Sequence, residues 1–185
     1  MPGNEKPPMQ HTWTALDEIS PNVLMAVIAA EDQRFFDHFG LDFKAMELAL
    51  AHNARSAKIR GASTITQQTA KNLFLWSGRS YARKGIEAGL AVCLELLWGK
   101  RRILEVYVNI AEFGDGLYGI HAAAKRYFNK PPARLTRQEA ALIAAVLPSP
   151  RTLHPDYPSP YLKARAFWIL RHMQNLGGRK LIERL

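Results

Sequence analysis

Apolar residues recur along this chain at helical spacing. Leu24, Val27, Ile28 and Phe35 form a stripe of period 3.6, and Ser20-Pro21 opens it as N-cap and first helical residue. The pattern predicts a helix from 21 to about 38–40. A short helix over 43–52 follows, then a basic, polar loop over 53–61 with Arg55, Lys58, Arg60 and Gly61. Ser63 or Thr64 caps a helix to about 76. Ser80 caps a long one to about 98, and after Gly99 a helix resumes over 100–109. Gly114-Asp115-Gly116 predicts a turn, and a helix over 121–128 stops before Pro131-Pro132. The capping box Thr136 to Glu139 opens an apolar helix that Pro148 closes. Beyond a proline-rich loop, a last helix runs from about 160 to the C-cap signal Gly177-Gly178. Strand alternation, repeats and low-complexity tracts are not visible, so the expected fold class is mostly α.

Two acids break the apolar pattern. Glu31 falls on the stripe of the first helix, with Asp32 next to it and Phe36 and His38 close by. A carboxylate among apolar neighbours loses hydration, and its pKa is expected to rise toward the range useful for proton transfer. Glu87 lies in the long helix, where Glu95 is the only other charge from Gly85 to Gly99. A helix apolar on every face is expected to be buried, Cys93 included. Glu87 then needs a partner, and Arg83 stands four residues earlier on the same face; a structural ion pair and a functional acid fit this segment alike. Glu95 reads as a structural anchor.

The stretch Gly61-Ala-Ser-Thr-Ile-Thr-Gln-Gln-Thr-Ala-Lys-Asn72 leads into a helix whose free N–H groups suit an anion. Lys71 shares a face with Gln67 and Gln68, and Arg79, Arg83 and Lys84 follow. These groups would suit a phosphate, and equally an ordinary solvated helix face. Asn109 is placed to satisfy buried backbone groups. Walker-loop spacing, a nucleophile elbow and metal-ligand spacing are all missing from the sequence.

Composition then narrows the field. With 185 residues and 48% hydrophobic content, the chain suits one domain with a real core. Its net charge of +9 points to an anionic partner: nucleic acid, an anionic membrane surface or a phosphorylated substrate. Cys93 is the single cysteine, so no internal disulfide forms. The sequence shows no signal peptide and no apolar run near the ~18 residues that span a bilayer.

Together, the segments Glu31-Asp-Gln-Arg-Phe-Phe-Asp-His38-Phe-Gly40, 61–72, Arg83-Lys-Gly-Ile-Glu87, Ile103-Leu-Glu-Val-Tyr-Val-Asn109 with Gly114 and 123–128, and 135–142 resemble the peptidoglycan glycosyltransferases. The resemblance built on these five ordered motifs covers about residues 13–178, leaving 1–12 as a flexible N-terminal segment and 179–185 as a tail. With no transpeptidase module following, the chain resembles the monofunctional form. Ala62 departs from the pattern, which commonly has a second glycine there.

The resemblance implies a lysozyme-like, two-lobed helical fold with a substrate cleft. It implies that lipid II is polymerised into β-1,4-linked glycan with inversion and release of undecaprenyl pyrophosphate. Glu31 would be the general base and Glu87 the second catalytic acid, assisting the leaving group with Lys71 and Arg79. Arg83 and Lys84 would be secondary cations. Asp32, Phe35 and His38 would shape the first motif, while Ser63, Thr64, Gln67, Gln68 and Asn72 would line the donor site. A divalent cation, Mg or Mn, often assists the family, with ligands that spacing does not identify.

Expected partners are lipid II, the growing lipid-linked glycan, the membrane surface and other cell-wall synthesis and division proteins, not nucleic acid. The expected location is the outer face of the bacterial inner membrane, with the family's transmembrane anchor absent from this chain. Apolar residues between Phe39 and Gly61, bordered by Arg55, Lys58 and Arg60, suit either an interfacial element or a helix packed on the core. A glycan hydrolase and a basic nucleic-acid-binding module are the competing functions.

Overall fold

The computed structural model describes residues 11–56, 61–76, 78 and 80–185. Residues 1–10 of the expected flexible segment, Lys58 and Arg60 of the basic loop, and Arg79 lie outside the described residues. In chain order the helices are α1 (Pro21–Glu31), α2 (Phe43–Asn53), α3 (Ile65–Phe74), α4 (Tyr81–Leu97) and α5 (Lys100–Ile110), then α6 (Ile120–Phe128), α7 (Arg137–Ala145), α8 (Pro160–Asn175) and α9 (Arg179–Ile182). The strands β1 (Glu112–Gly114) and β2 (Leu117–Tyr118) form a small antiparallel hairpin between α5 and α6. The mostly helical class read from the sequence is therefore the observed one. The hairpin was not expected, because strands this short cannot show alternation.

The chain divides into two compact units, a central one of residues 31–107 with 185 and a terminal one of 1–30 with 108–184. In the terminal unit, Ser20 Oγ accepts the Asn22 N–H at 3.3 Å and donates to Leu135 O at 3.1 Å, supplying the expected cap of α1. Residues 23–29 of α1 are all buried, as a run apolar on every face requires. Asn109, fully buried, accepts the Thr14 N–H at 2.8 Å and donates to Thr14 O at 2.9 Å. Helices α7 and α8 pack together. The segment read as a tail carries α9, which buries Leu181.

In the central unit α3 packs on α4 around a small core of Ala70, Ala91 and Leu94, flanked by Leu41, Leu90 and Trp98. Glu95 acts as the anticipated anchor. Its Oε1 accepts the Gly40 N–H at 3.1 Å, the Thr66 hydroxyl at 2.7 Å and Lys100 Nζ at 2.6 Å. Gly40 has φ +76°, and a Cβ there would sit 3.0 Å from Ala91 O, so the approach of this loop to α4 requires glycine.

One expectation fails in this unit. Helix α4 is not buried all round: Ile86, Leu96 and Leu97 are exposed, and so is Cys93. Helix α3 packs on the face of α4 that carries Ala91 and Leu94. Helix α2 likewise buries only Ala49 and exposes Phe43, Met46, Leu48 and Leu50.

The capping box of α7 is observed as read: Glu139 N–H donates to Thr136 Oγ1 at 3.3 Å, and Thr136 N–H donates to Glu139 Oε2 at 2.9 Å. Burial works to raise the Glu139 pKa, but the hydrogen bonds from Lys130 and Thr136 outweigh it and hold it below the usual value. The unfolded chain thus binds the proton more tightly. The resulting stabilisation is present above the ordinary glutamate pKa and is lost as pH falls through the folded-state value. Glu139→Gln is expected to cost about 0.5–1 kcal/mol at neutral pH, with the gap to wild type closing below about pH 4. Urea melts across pH check this; a gap unchanged into acid contradicts it.

Candidate active site

The site grows from the end of α1. The apolar stripe predicts a helix to 38–40, but α1 stops at Glu31 and the chain turns through 33–37. The cause lies in Asp32, whose buried carboxylate accepts the backbone N–H of Ile65, the first residue of α3, at 3.0 Å. It also accepts His38 Nε2, which stands 3.0 Å from both carboxylate oxygens. A carboxylate can only accept, so His38 Nε2 carries the hydrogen. An anion at a helix N-terminus meets both an orphan N–H and the positive end of the helix dipole. Continuing α1 would forfeit that contact.

The anion site expected for substrate phosphate at this helix start is therefore engaged by the protein itself. Asp32 takes the Ile65 N–H, Thr64 Oγ1 takes the Gln67 N–H at 3.1 Å, and Gln67 Oε1 takes the Thr64 N–H at 3.0 Å. The Thr64 hydroxyl also donates to Gly40 O at 2.6 Å. Asp32, Thr64 and Phe35 are buried, Phe35 completely, with its ring edge-on to Phe36 and Lys100 Nζ 4.6 Å from its centroid. The His38 side chain is largely buried with them.

Glu31 is half-buried, and its Oε2 accepts Gln68 Nε2 at 2.9 Å. The carboxylate is thus not simply pressed against apolar neighbours: an amide donor fixes one oxygen. Behind Gln68, Tyr107 of α5 donates its hydroxyl to Gln68 Oε1 at 3.0 Å. Burial first, then the charges of Glu31 and Asp32, push the Tyr107 pKa well above its ordinary value, so it remains a neutral donor. The sequence reading passed over Tyr107; its signal was a phenol on the apolar face of α5, where a buried hydroxyl must find a partner.

Glu87 is also buried, and both its oxygens are engaged. Arg83 Nη1 donates to Oε2 at 3.0 Å and Lys84 Nζ donates to Oε1. Lys84 Nζ further donates to Ser63 Oγ at 2.8 Å. Arg83 is buried, whereas Lys84 reaches solvent. A pocket of about 230 Å³ opens beside it, lined by apolar Met46, Ala49 and Leu50 of α2 and by polar Ser63, Gln67 and Lys84. Lys71 and Asn72 stand exposed on α3. The Arg79 assignment falls outside the described residues.

Among the described residues, one group has potential metal ligands close together: Asp32, His38 and Asp42, with ligand atoms within 4.8 Å of one another. Their donor set does not fit a cation well. Asp32 is held by His38 and Ile65, and Asp42 accepts Arg34 Nη1 at 2.8 Å and caps α2 through the Ala45 N–H at 2.9 Å. Glu87 is held by Arg83 and Lys84.

Comparison with known proteins adds independent information. The family model described as Transglycosylase matches residues 4–174. A biosynthetic peptidoglycan transglycosylase of Escherichia coli is 57% identical over 182 residues, covering 98% of this chain and 75% of that protein. Proteins of the same name from Citrobacter koseri and Cronobacter sakazakii are each 60% identical, over 93% and 90% of this chain and 72% and 69% of their own lengths. The chain belongs to the transglycosylase family.

Proposed function

We propose that this chain is a peptidoglycan glycosyltransferase that extends a lipid-linked glycan with lipid II. The reading rests above all on Glu31, a partly exposed carboxylate whose position is fixed by the Gln68 amide in the same compact unit as the Ser63–Lys84–Glu87–Arg83 cluster. Glu31 takes the proton from the 4-hydroxyl of the incoming sugar as that oxygen attacks the anomeric carbon of the donor. The bond from that carbon to the pyrophosphate oxygen breaks, the anomeric centre inverts, and the released undecaprenyl pyrophosphate carries the electron pair away. No covalent enzyme intermediate is needed.

The second acid acts through its cations. Glu87 is too buried and too fully paired to touch substrate; it is a positioning residue that holds Lys84 at the mouth of the pocket. Lys84 and exposed Lys71 meet the growing negative charge of the leaving group, with Arg79 as a further candidate. Ser63, Gln67, Gln68 and Asn72 form the polar border of the donor site. A divalent cation would bring Lewis-acid neutralisation of the phosphates, but the protein carboxylates described are already held by protein donors, and no step here depends on it.

Exposed Phe43, Leu48 and Leu50 of α2 suit contact with the lipid that carries the substrate, and a net charge of +9 favours an anionic surface. Among the described residues no helix is long and apolar enough to cross a membrane. The reading places the catalytic unit on the outer face of the bacterial inner membrane, among other cell-wall synthesis and division proteins.

Lipid II polymerisation tests the chemistry. Glu31→Gln is expected to lower kcat by about 10²–10⁴-fold, and Glu87→Gln by about tenfold to a hundredfold with Lys84 set loose. If both variants polymerise normally the assignment fails; if the wild type shortens finished glycan without polymerising lipid II, the hydrolase reading takes its place.

Membrane contact is tested separately by flotation with anionic vesicles. The chain should float, and Phe43→Glu with Leu50→Glu should leave it in the lower fraction; a wild type that never floats removes the contact.

A further inference from the structure

We propose that Tyr107 is a positioning residue for the base: by holding the Gln68 carbonyl oxygen, it fixes which face of that amide meets Glu31. The inference deepens the function proposed above and rests on Glu31 being the base.

A side-chain amide has one donating and one accepting end, and rotating its terminal torsion exchanges them at little intrinsic cost. Only the donating end suits an ionised carboxylate. In the structure Nε2 faces Glu31 at 2.9 Å and Oε1 faces the Tyr107 hydroxyl at 3.0 Å. The reversed amide would set its oxygen against the Glu31 carboxylate. It would also take away the acceptor of the Tyr107 hydroxyl hydrogen, at a residue only 1% exposed. A buried hydroxyl without an acceptor is costly, so Tyr107 penalises the reversed state through burial alone.

This matters most at the moment of catalysis. Once Glu31 has taken a proton it no longer repels an amide oxygen, and a free Gln68 could turn to accept from it. Such a turn would trap the base in its protonated form. Tyr107 keeps the amide oxygen occupied, so the donating end stays on Glu31 and favours return of the carboxylate.

Burial and the neighbouring charges of Glu31 and Asp32 keep Tyr107 protonated, so it donates across the working pH range. Its ring position is secured independently by the packing of α5, where Ile103, Leu104, Val106 and Val108 are buried. Among the described residues, the charges that act on the Tyr107 hydroxyl are those of Glu31 and of Asp32, which is partnered by His38.

The test is the pH profile of lipid II polymerisation. Tyr107→Phe keeps the ring and removes only the hydroxyl. Its acid limb in kcat/KM should move upward by about half to one pH unit, because a freed amide can turn to accept from the protonated carboxyl and so stabilises that form. KM should stay within about twofold, since Tyr107 is buried away from substrate. Gln68→Met approaches from the other end with Tyr107 intact, and should move the limb in the same direction. Adding Tyr107→Phe to Gln68→Met should move it no further, because the hydroxyl acts only through the amide.

A profile of Tyr107→Phe that superimposes on wild type overturns the proposal. So does a shift that persists in full on the Gln68→Met background. Should Tyr107→Phe fold poorly, Gln68→Met alone decides: an unmoved limb there overturns the proposal too. Glu31→Gln is run in parallel. If it polymerises normally, the base assignment itself fails; if it is inactive while both other variants titrate like wild type, only the role of Tyr107 is lost.

Discussion

The central unit is organised by one contact, the Asp32 carboxylate on the first N–H of α3. Asp32 is next to Glu31 in the chain, and Ile65 lies three residues, just under one helical turn, before Gln68. Joining Asp32 to Ile65 therefore delivers Glu31 to the side chain of the following turn. The same contact ends α1 and turns the chain so that His38 closes on Asp32 and Gly40 comes within reach of both Thr64 and Glu95. Without it, Glu31 would be one more residue inside a continuing helix, facing wherever the period carried it.

Buried acids recur here as devices for aiming other groups. Asp32 orients His38 and the start of α3, Glu95 gathers Gly40, Thr66 and Lys100, and Glu87 directs Lys84 toward the pocket. Burying such ion pairs adds little net stability, because desolvation offsets much of the Coulomb attraction. Their effect is on placement. The role proposed for Glu87 follows the same logic: a departing pyrophosphate asks for fixed positive charge, and a carboxylate paired with Arg83 and Lys84 is placed to hold such charge.

Local signals were legible in the sequence and distant ones were not. The caps at Ser20, Thr64, Ser80 and Thr136 each depend on a donor two or three residues away, and each appears where composition placed it. The Arg83–Glu87 pair follows from four-residue spacing in the same way. Asp32 with Ile65 spans 33 residues and Tyr107 with Gln68 spans 39, and periodicity carries no information about either. For that reason the end of α1, the occupied start of α3 and the phenol behind the base emerge only from the fold. The burial of Asp32, Phe35 and Thr64 depends on the same distant contacts and was likewise not legible from spacing.

Helix α4 shows where a sound rule misled. A helix apolar on nearly every face belongs inside a protein or against lipid, and the first alternative was the natural one for a chain of this length. In the structure Ile86, Leu96 and Leu97 reach solvent, as do Phe74, Trp76 and Tyr81 nearby in the sequence and Phe43 and Leu50 on α2. The cluster between α3 and α4 is small, with two alanines and a leucine flanked by three partly buried side chains. A surface that exposes so many large apolar groups gains from a non-aqueous neighbour. A lipid-borne substrate requires such a neighbour at the pocket on α2, so the poor fit to water and the proposed chemistry have a common physical explanation.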